Sequence, residues 1–453
     1  NGKGESMTFE TKGKENNGAT YGRRSDWQDL YSIAKKYYEA LLADPGNAQF
    51  HLTDPRGASD KSGRTFNNPY QYFFEQMHMD DAIYADESIY EYPMQQGGGN
   101  DGRPYSFGRP SSGGSKAAYP CKSYGQGRIN PAYFYGVFDP NDMRRDVSIT
   151  MTGSNGKGVE KLIPFVPNSK AEGGGLTLNK WDENRQANPW VAAQRKSGIN
   201  GPYMRMSEVY LGYAEVCAAL GDVVTGKQYL KTVRERSFPQ GLANTDAFIA
   251  SFGNDLVRAI IEERGFEYAG EGDRRWTLIR SGYLPEDIKR IKDMTKAMMD
   301  GLATKGYYEF ENGNIISAYI WTKLVDAKTI YGHRLTAQCP MDKVNDPVLY
   351  PGWRGQKDNW EEMGLNYGSS TPATNLAIKG LFEIVSEEEA ASLESQGYTK
   401  VNWGIDLVDY RDEYDKYLFW DYDYVSAPIY LWPFTPNVMA AGGFTNGYGF
   451  KQE

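Results

Sequence analysis

Histidine and cysteine are scarce, with three of each in 453 residues. His51, His78 and His333 are dispersed, with no His-x-x-x-His spacing and no serine elbow, so metallohydrolase and serine-hydrolase chemistry lack their donor patterns. Three cysteines cannot build a dense disulfide framework, and none has the paired short spacing of a zinc site. Cys217 falls on an apolar helical stripe and reads as a small buried residue, while Cys121 and Cys339 lie in loop-like sequence that leaves pairing in an oxidising compartment open. Positive charge is also short: 50 Lys and Arg face 59 Asp and Glu, a net charge of −9 that disfavours a nucleic-acid partner. Apolar runs fall well below the ~18 residues that a membrane span needs. No charged-then-apolar signal segment opens the chain, so Asn1 reads as the start of a trimmed one. The triple glycines at 97–99 and 173–175, and the Gly-x-Gly of GEGDRRW, do not follow a strand and open a helix with a Lys-Ser/Thr ending. No nucleotide, metal or other cofactor is expected, and His78, Asp80 and Asp81 read as a solvated polar turn.

What is plentiful is aromatic surface: 34 Tyr, 19 Phe and 10 Trp, or 14% of the chain. Tyrosine joins an apolar ring to a polar tip, which suits surfaces that hold amphipathic ligands and equally suits loops that need capping in a large fold.

Periodicity divides the chain into four parts: 1–50, a loop and a repeat-like helix; 51–200, a loop-rich ligand-binding insertion; 201–283, a helical hairpin and a docking helix; and 284–453, a loop-rich region packing on the repeats. In the first, SDWQDLYSIAKKYYEALLAD has Ser25 or Asp26 to cap it. Trp27, Leu30, Tyr31, Ala34, Tyr38 and Leu41 keep helical spacing before Pro45 and Gly46 stop it. In the second, QYFFEQMHM reads as a helix and SIYEYPM and VSITMTG as strands. In the third, Met206, Val209, Tyr210, Tyr213, Cys217 and Leu220 form one stripe. A Gly221-Asp222 turn leads to a second helix with Val223, Leu230 and Val233 inward, and Ala214 and Ala218 make a small-residue seam like that of a tetratricopeptide repeat. In the fourth, 284–319 mixes helix and loop, and PATNLAIKGLFEIV and EEEAASLESQG read as helices. The fold class is mainly α: a tetratricopeptide-like helical-repeat scaffold with a large loop-rich aromatic insertion.

Several ordered motifs resemble the SusD/RagB family of nutrient-binding surface lipoproteins. They are Arg205, Glu208, Tyr210-Leu211 and Ala214-Glu215; Val233-Arg234; Glu263-Arg264, Glu267, Glu271-Gly272, Arg274, Trp276 and 278–280; and the segment with Pro433 and Pro436. FDPNDMRRDVSIT is similar to the stretch that precedes this block in the family. The resemblance implies non-catalytic capture of a nutrient, with a TonB-dependent outer-membrane transporter of the SusC type as partner. It also implies a lipid-bearing cysteine and an early pair of helical repeats, which the sequence does not display; the reading is a chain without its first portion, or a divergent member. Membrane contact is expected only through such an anchor.

Arg205, Glu208, Glu215, Arg264, Glu267, Arg274 and Arg280 are read as a structural ion-pair network that docks one helix onto the hairpin, with Arg264 and Glu267 placed three apart to pair along one face. A sugar offers apolar C–H faces and a rim of hydroxyls, so its binder wants flat aromatic platforms edged by amides and charges. The candidates are Tyr105, Tyr119, Tyr124, Tyr133, Tyr135, Trp181 and Trp190, with Asn130, Asn179, Asp182, Asn184 and Arg185 beside them and Trp353 and Trp360 in reserve. Trp181 is the first choice because polar residues flank it in LNKWDENRQANPW. A glycan is the preferred ligand and a peptide the alternative. A glycoside hydrolase is the distant alternative, on the acidic pairs Asp421 with Asp423 and Glu361 with Glu362.

Overall fold

The computed structural model describes residues 9–14, 20–55, 68–77, 85–98, 102–111, 122–155, 160–167, 173–183, 194–326, 374–418 and 434–443. Helices dominate them: α1 (Trp27–Ala43), α2 (Pro69–Gln76), α3 (Met206–Ala219), α4 (Val223–Arg236), α5 (Leu256–Glu267), α6 (Asp273–Ser281) and α7 (Leu284–Lys305).

The expected hairpin is α3–α4. Asp222 caps α4 by accepting the Thr225 amide at 3.2 Å, and Gly221 takes the turn at φ +92°. Gly226 sets the approach of the two helices, because a Cβ there would lie 2.9 Å from the Ala214 carbonyl oxygen and 3.1 Å from the Ala218 Cβ. Leu211, Ala214, Leu230 and Val233 then share one core with Leu256, Ala259, Ile260 and Tyr268, so α5 docks on the hairpin. On the other side, Tyr31, Ala34, Tyr38 and Leu42 of α1 pack on Tyr213, Val216 and Cys217. Helix α3 is thus covered from both sides and buries more than its apolar stripe. Val223 is exposed rather than inward, since it starts α4 on the outer flank. Asp26 does not cap α1; its carboxylate takes the Arg24 guanidinium at 2.6 Å and 2.8 Å.

The main hydrophobic core lies elsewhere. Phe134, Tyr135, Phe138, Ile149, Met151, Phe165 and Leu176 meet Met298, Met299 and Leu302 of α7, together with Ile316, Ile320, Ile378, Trp403 and Leu407. Segments of low periodicity in the sequence therefore supply the largest apolar cluster. Strand Tyr319–Asp326 pairs antiparallel with Thr374–Lys379 on one side and Thr399–Asn402 on the other. PATNLAIKGLFEIV, expected as a helix, is a strand over Thr374–Lys379: Leu376 and Ile378 alternate into the core, and a short apolar run fits either period until a partner strand decides. EEEAASLESQG does form a helix, Glu387–Ser395, behind a Ser386–Glu389 capping box. SIYEY is a strand, Ser88–Tyr92, paired antiparallel with Gly201–Arg205. VSITMTG splits into the end of a short helix and two short strands.

Between the hairpin and this core sits a buried ionic network. Arg205 reaches Glu87 at 2.9 Å, Glu267 at 2.5 Å and Glu271 at 3.0 Å. Arg236 bridges Glu87 and Glu267 at 2.5 Å and 2.6 Å. Arg144 holds Asp142, Glu263 and Glu267 at 2.7, 2.7 and 3.0 Å, Arg234 adds Glu263 at 2.7 Å, and Lys180 adds Glu271 at 2.7 Å. All of these except Glu271 are buried. Arg264 and Glu267 do not pair with each other as expected. Arg264 goes to Glu208 and Asp273, both at 2.6 Å, because α5 is enclosed and each side chain has tertiary partners in place of its helix neighbour. Arg274 joins Glu262 to Asp287, and Arg280 forks onto Glu215.

Burial alone would raise the carboxyls of Glu262 and Glu267, yet the surrounding guanidinium groups win. Arg274, Arg290 and Arg258 hold Glu262 at about 2, down from 4.5, and Arg236, Arg205 and Arg144 hold Glu267 lower still. Folded-state values below the unfolded ones mean that the unfolded chain binds more protons in acid, so stability is present above pH 4.5 and is lost on the way down to pH 2. Urea midpoints are expected to fall steeply below pH 4.5; an unchanged midpoint at pH 3 would contradict this. Arg264→Ala leaves the half-buried Glu208 and Asp273 carboxylates without their guanidinium partner and is expected to cost about 2 kcal/mol, with ligand binding intact. A change below about 1 kcal/mol in urea unfolding would refute the network's role at this position.

Candidate ligand-binding surface

Of the aromatic residues picked from the sequence, Tyr105 and Tyr124 come together. Their rings meet edge to face with centroids 5.2 Å apart, and the Tyr124 amide donates to the Tyr105 carbonyl at 2.8 Å. Burial first, and then the Tyr124 hydroxyl, raises the Tyr105 phenol above its ordinary value of 10. Cations already lie over these rings: Arg195 is 4.6 Å from the Tyr105 centroid and Lys122 is 5.0 Å from that of Tyr124. The pair forms a cationic aromatic corner in which Tyr105 is buried, contrary to the platform expected of it, and Tyr124 is half-buried.

Three other candidates need correction as solvent-facing platforms. Tyr135 is fully buried, its ring against Phe310 and its hydroxyl accepting from Trp403 Nε1 at 2.8 Å. Tyr133 packs on Phe138 and donates its hydroxyl to the Gly265 carbonyl at 2.8 Å. Trp181 is buried with Leu178 and Ile199. Its polar flanks misled because they are interior residues with partners of their own. Asn179 donates to the Asp146 carbonyl at 2.8 Å, Lys180 enters the ionic network, and Asp182 faces Arg109 at 3.9 Å. Asn130 is likewise structural, donating to Thr295 at 3.0 Å. Tyr119, Asn184, Arg185 and Trp190 lie outside the described residues, as do Trp353, Trp360, the acidic pairs at 361–362 and 421–423, the polar turn at 78–81, Cys121 and Cys339.

Three strongly exposed rings were not singled out from the sequence. Tyr90, Tyr92 and Tyr203 are 52%, 59% and 76% exposed, and all three sit on the ribbon of Ser88–Tyr92 and Gly201–Arg205. The signal was available in SIYEY, where two tyrosines alternate with a glutamate and so point the opposite way from it. Trp276 of α6 is also more than half exposed.

Among the described residues no cluster of three or more His, Cys, Asp or Glu is placed to hold a metal ion, and no helix is long and apolar enough to cross a membrane. Buried Glu262 and Glu267 are fixed as carboxylates, the opposite of the raised pKa that a general acid needs. Asp406 is pushed up by burial, and its oxygen accepts from Asn402 at 3.0 Å.

SusD-like protein P25 of Formosa agariphila is 28% identical over 160 residues, which are 35% of this chain and 26% of that protein. A SusD homolog from Bacteroides thetaiotaomicron is 17% identical with a TM-score of 0.42, covering 59% of this chain and 51% of that one. Surface glycan-binding protein A from Bacteroides thetaiotaomicron, in complex with laminarihexaose, is 18% identical with a TM-score of 0.36, covering 58% and 52%. The chain spans about half the length of these solved relatives and about a quarter of the curated one. The model of the SusD family matches residues 49–434, most of the sequence, and the chain therefore belongs to the SusD family.

Proposed function

We propose that the protein captures a nutrient polymer, a glycan or oligosaccharide, at the cell surface and passes it unbroken to a TonB-dependent outer-membrane transporter of the SusC type. The observation that carries this reading is membership of the SusD family across residues 49–434. Two further points support it. The arginines and glutamates most readily mistaken for catalytic groups neutralise one another inside the frame. Tyrosine-rich surface, meanwhile, supplies the amphipathic faces that sugars need. In this reading a lipid anchor ties the protein to the outer membrane.

Weak binding suits such a task. One aromatic platform covering ~60 Å² of sugar face at about 25 cal/mol/Å² contributes roughly 1.5 kcal/mol. Two or three platforms, less the cost of association, give a Kd in the range of about micromolar to millimolar. A ligand held this loosely is released to a transporter without a dedicated step to break the complex.

The test is a screen of the full chain against soluble polysaccharides and peptides, with reducing ends measured on the same samples. Retention by at least one polysaccharide without new reducing ends is the expected result. Release of reducing sugar would make the protein a hydrolase, and retention by peptides alone would assign it to peptide uptake.

A further inference from the structure

The two-stranded ribbon of Ser88–Tyr92 and Gly201–Arg205 has two unlike faces. Its inner charges are locked. The Glu91 carboxylate accepts from the Ala85 amide at 2.9 Å, from Asn200 at 2.9 Å and from the Ser88 hydroxyl. Arg205 is drawn into the buried ionic network with Glu87, Glu267 and Glu271. Outward, the ribbon's exposed side chains are Tyr90, Tyr92 and Tyr203, and no charged residue of either strand joins them. Tyr90 and Tyr203 stand edge to face at 5.5 Å with planes 85° apart, making a corner of two rings across the strands. Among the described residues their hydroxyls make no hydrogen bond, so each ring offers a face and a free polar tip.

We infer that this ribbon face is a stacking site for an uncharged glycan segment, with Tyr90 and Tyr203 forming a corner around one sugar ring and Tyr92 continuing the surface along the strand. The inference rests on the capture function proposed above and adds the place and the charge class of the ligand. Three observations favour this occupant. First, a face of phenols with every ribbon charge turned inward matches a neutral, amphipathic partner and offers no ion pair to a charged one. Second, the size fits a short ligand. Three tyrosines at these exposures present about 400 Å², half of the ~800 Å² that a stable protein interface takes from each partner, while five strand residues run about 17 Å, the reach of a few sugar rings. Third, the rings ride on backbone fixed from below by buried ion pairs, so little freedom is left to lose on binding.

The far end of the ribbon continues toward the Tyr105–Tyr124 corner. Gly201, opposite Tyr92, lies under the Arg103 guanidinium, where a Cβ would fall 2.2 Å from Nη1, and Arg103 opens the short helix that carries Tyr105. The cationic corner and the neutral ribbon are thus neighbours of different charge character, and the ribbon is the part suited to the neutral stretch of a chain.

The experiment uses the full protein in affinity electrophoresis through gels containing starch, xylan, mannan or a β-1,3-glucan, with Tyr92→Ala/Tyr203→Ala and Tyr203→Phe as variants. Tyr92 and Tyr203 are mostly exposed and lie outside the hydrophobic core, and circular dichroism of the variants is expected to match the wild type. The expected outcome is retention of the wild type by at least one of these polysaccharides, a loss of at least tenfold in affinity for the double alanine variant, and near-wild-type retention for Tyr203→Phe. The retaining polysaccharide should also shield Tyr203 from nitration by tetranitromethane, read by mass spectrometry. Unchanged retention of the double variant with unshielded Tyr203 overturns the site and leaves the capture function standing, the result also expected if the ribbon serves a protein partner. A wild type retained by none of these neutral polysaccharides overturns the site and its charge class, and the broader screen of polysaccharides and peptides decides the capture function separately.

Discussion

The helical frame among the described residues is held in register by charge that cannot reach water. Glu267 sits at the end of α5 with Arg144, Arg205 and Arg236 around it, and none of the four is more than marginally exposed. These cations come from three places in the chain: the segment before the first core strand, the strand leading into α3, and the last turn of α4. Removing a carboxylate from water is costly, and the cost is offset only if every guanidinium arrives together. The network therefore acts less as a source of net stability than as a set of coordinates, because a fold that misplaced any one segment would leave a bare buried charge.

That constraint explains how a chain with so much irregular structure keeps its shape. The helical hairpin has its own small apolar core with α5, and the larger core of Phe134, Tyr135, Met298, Ile320 and Trp403 belongs to other segments. Glu263 and Glu267 lie on α5, and Glu271 just beyond its end. Through Arg144 and Lys180 they tie the helix to the segments that build the larger core, and through Arg205 to the tyrosine ribbon. The ribbon's exposed face is anchored to this interior through Arg205, which is how a buried ion pair bears on the proposed binding surface.

Much of the helical frame was legible in the sequence, because α1, α3 and α4 carry strong three-and-four spacing and clear breakers at Pro45, Gly46 and Gly221. The partners of the charged residues were not. Arg264 and Glu267 are neighbours on the helix and still choose Glu208 and Arg205, since long-range geometry decides among many possible pairs. Thr374–Lys379 was misread as helix because six residues hold too few repeats to separate the periods. The exposed aromatics were the least legible. Trp181 has polar neighbours and is buried with them, whereas Tyr90 and Tyr92 stand in an ordinary-looking strand and are exposed. Local polarity reports exposure only where polar side chains face water, and in this protein many of them face each other.

The central claim, that buried ion pairs around Glu267 act as one unit, is tested most directly by a double-mutant cycle between Glu267→Gln and Arg236→Met in urea unfolding. A coupled unit predicts that the double variant loses much less than the two single losses together, with a coupling energy of about 1–3 kcal/mol. Losses that add within about 0.5 kcal/mol would show that the two side chains stabilise the fold independently, and the account would fail.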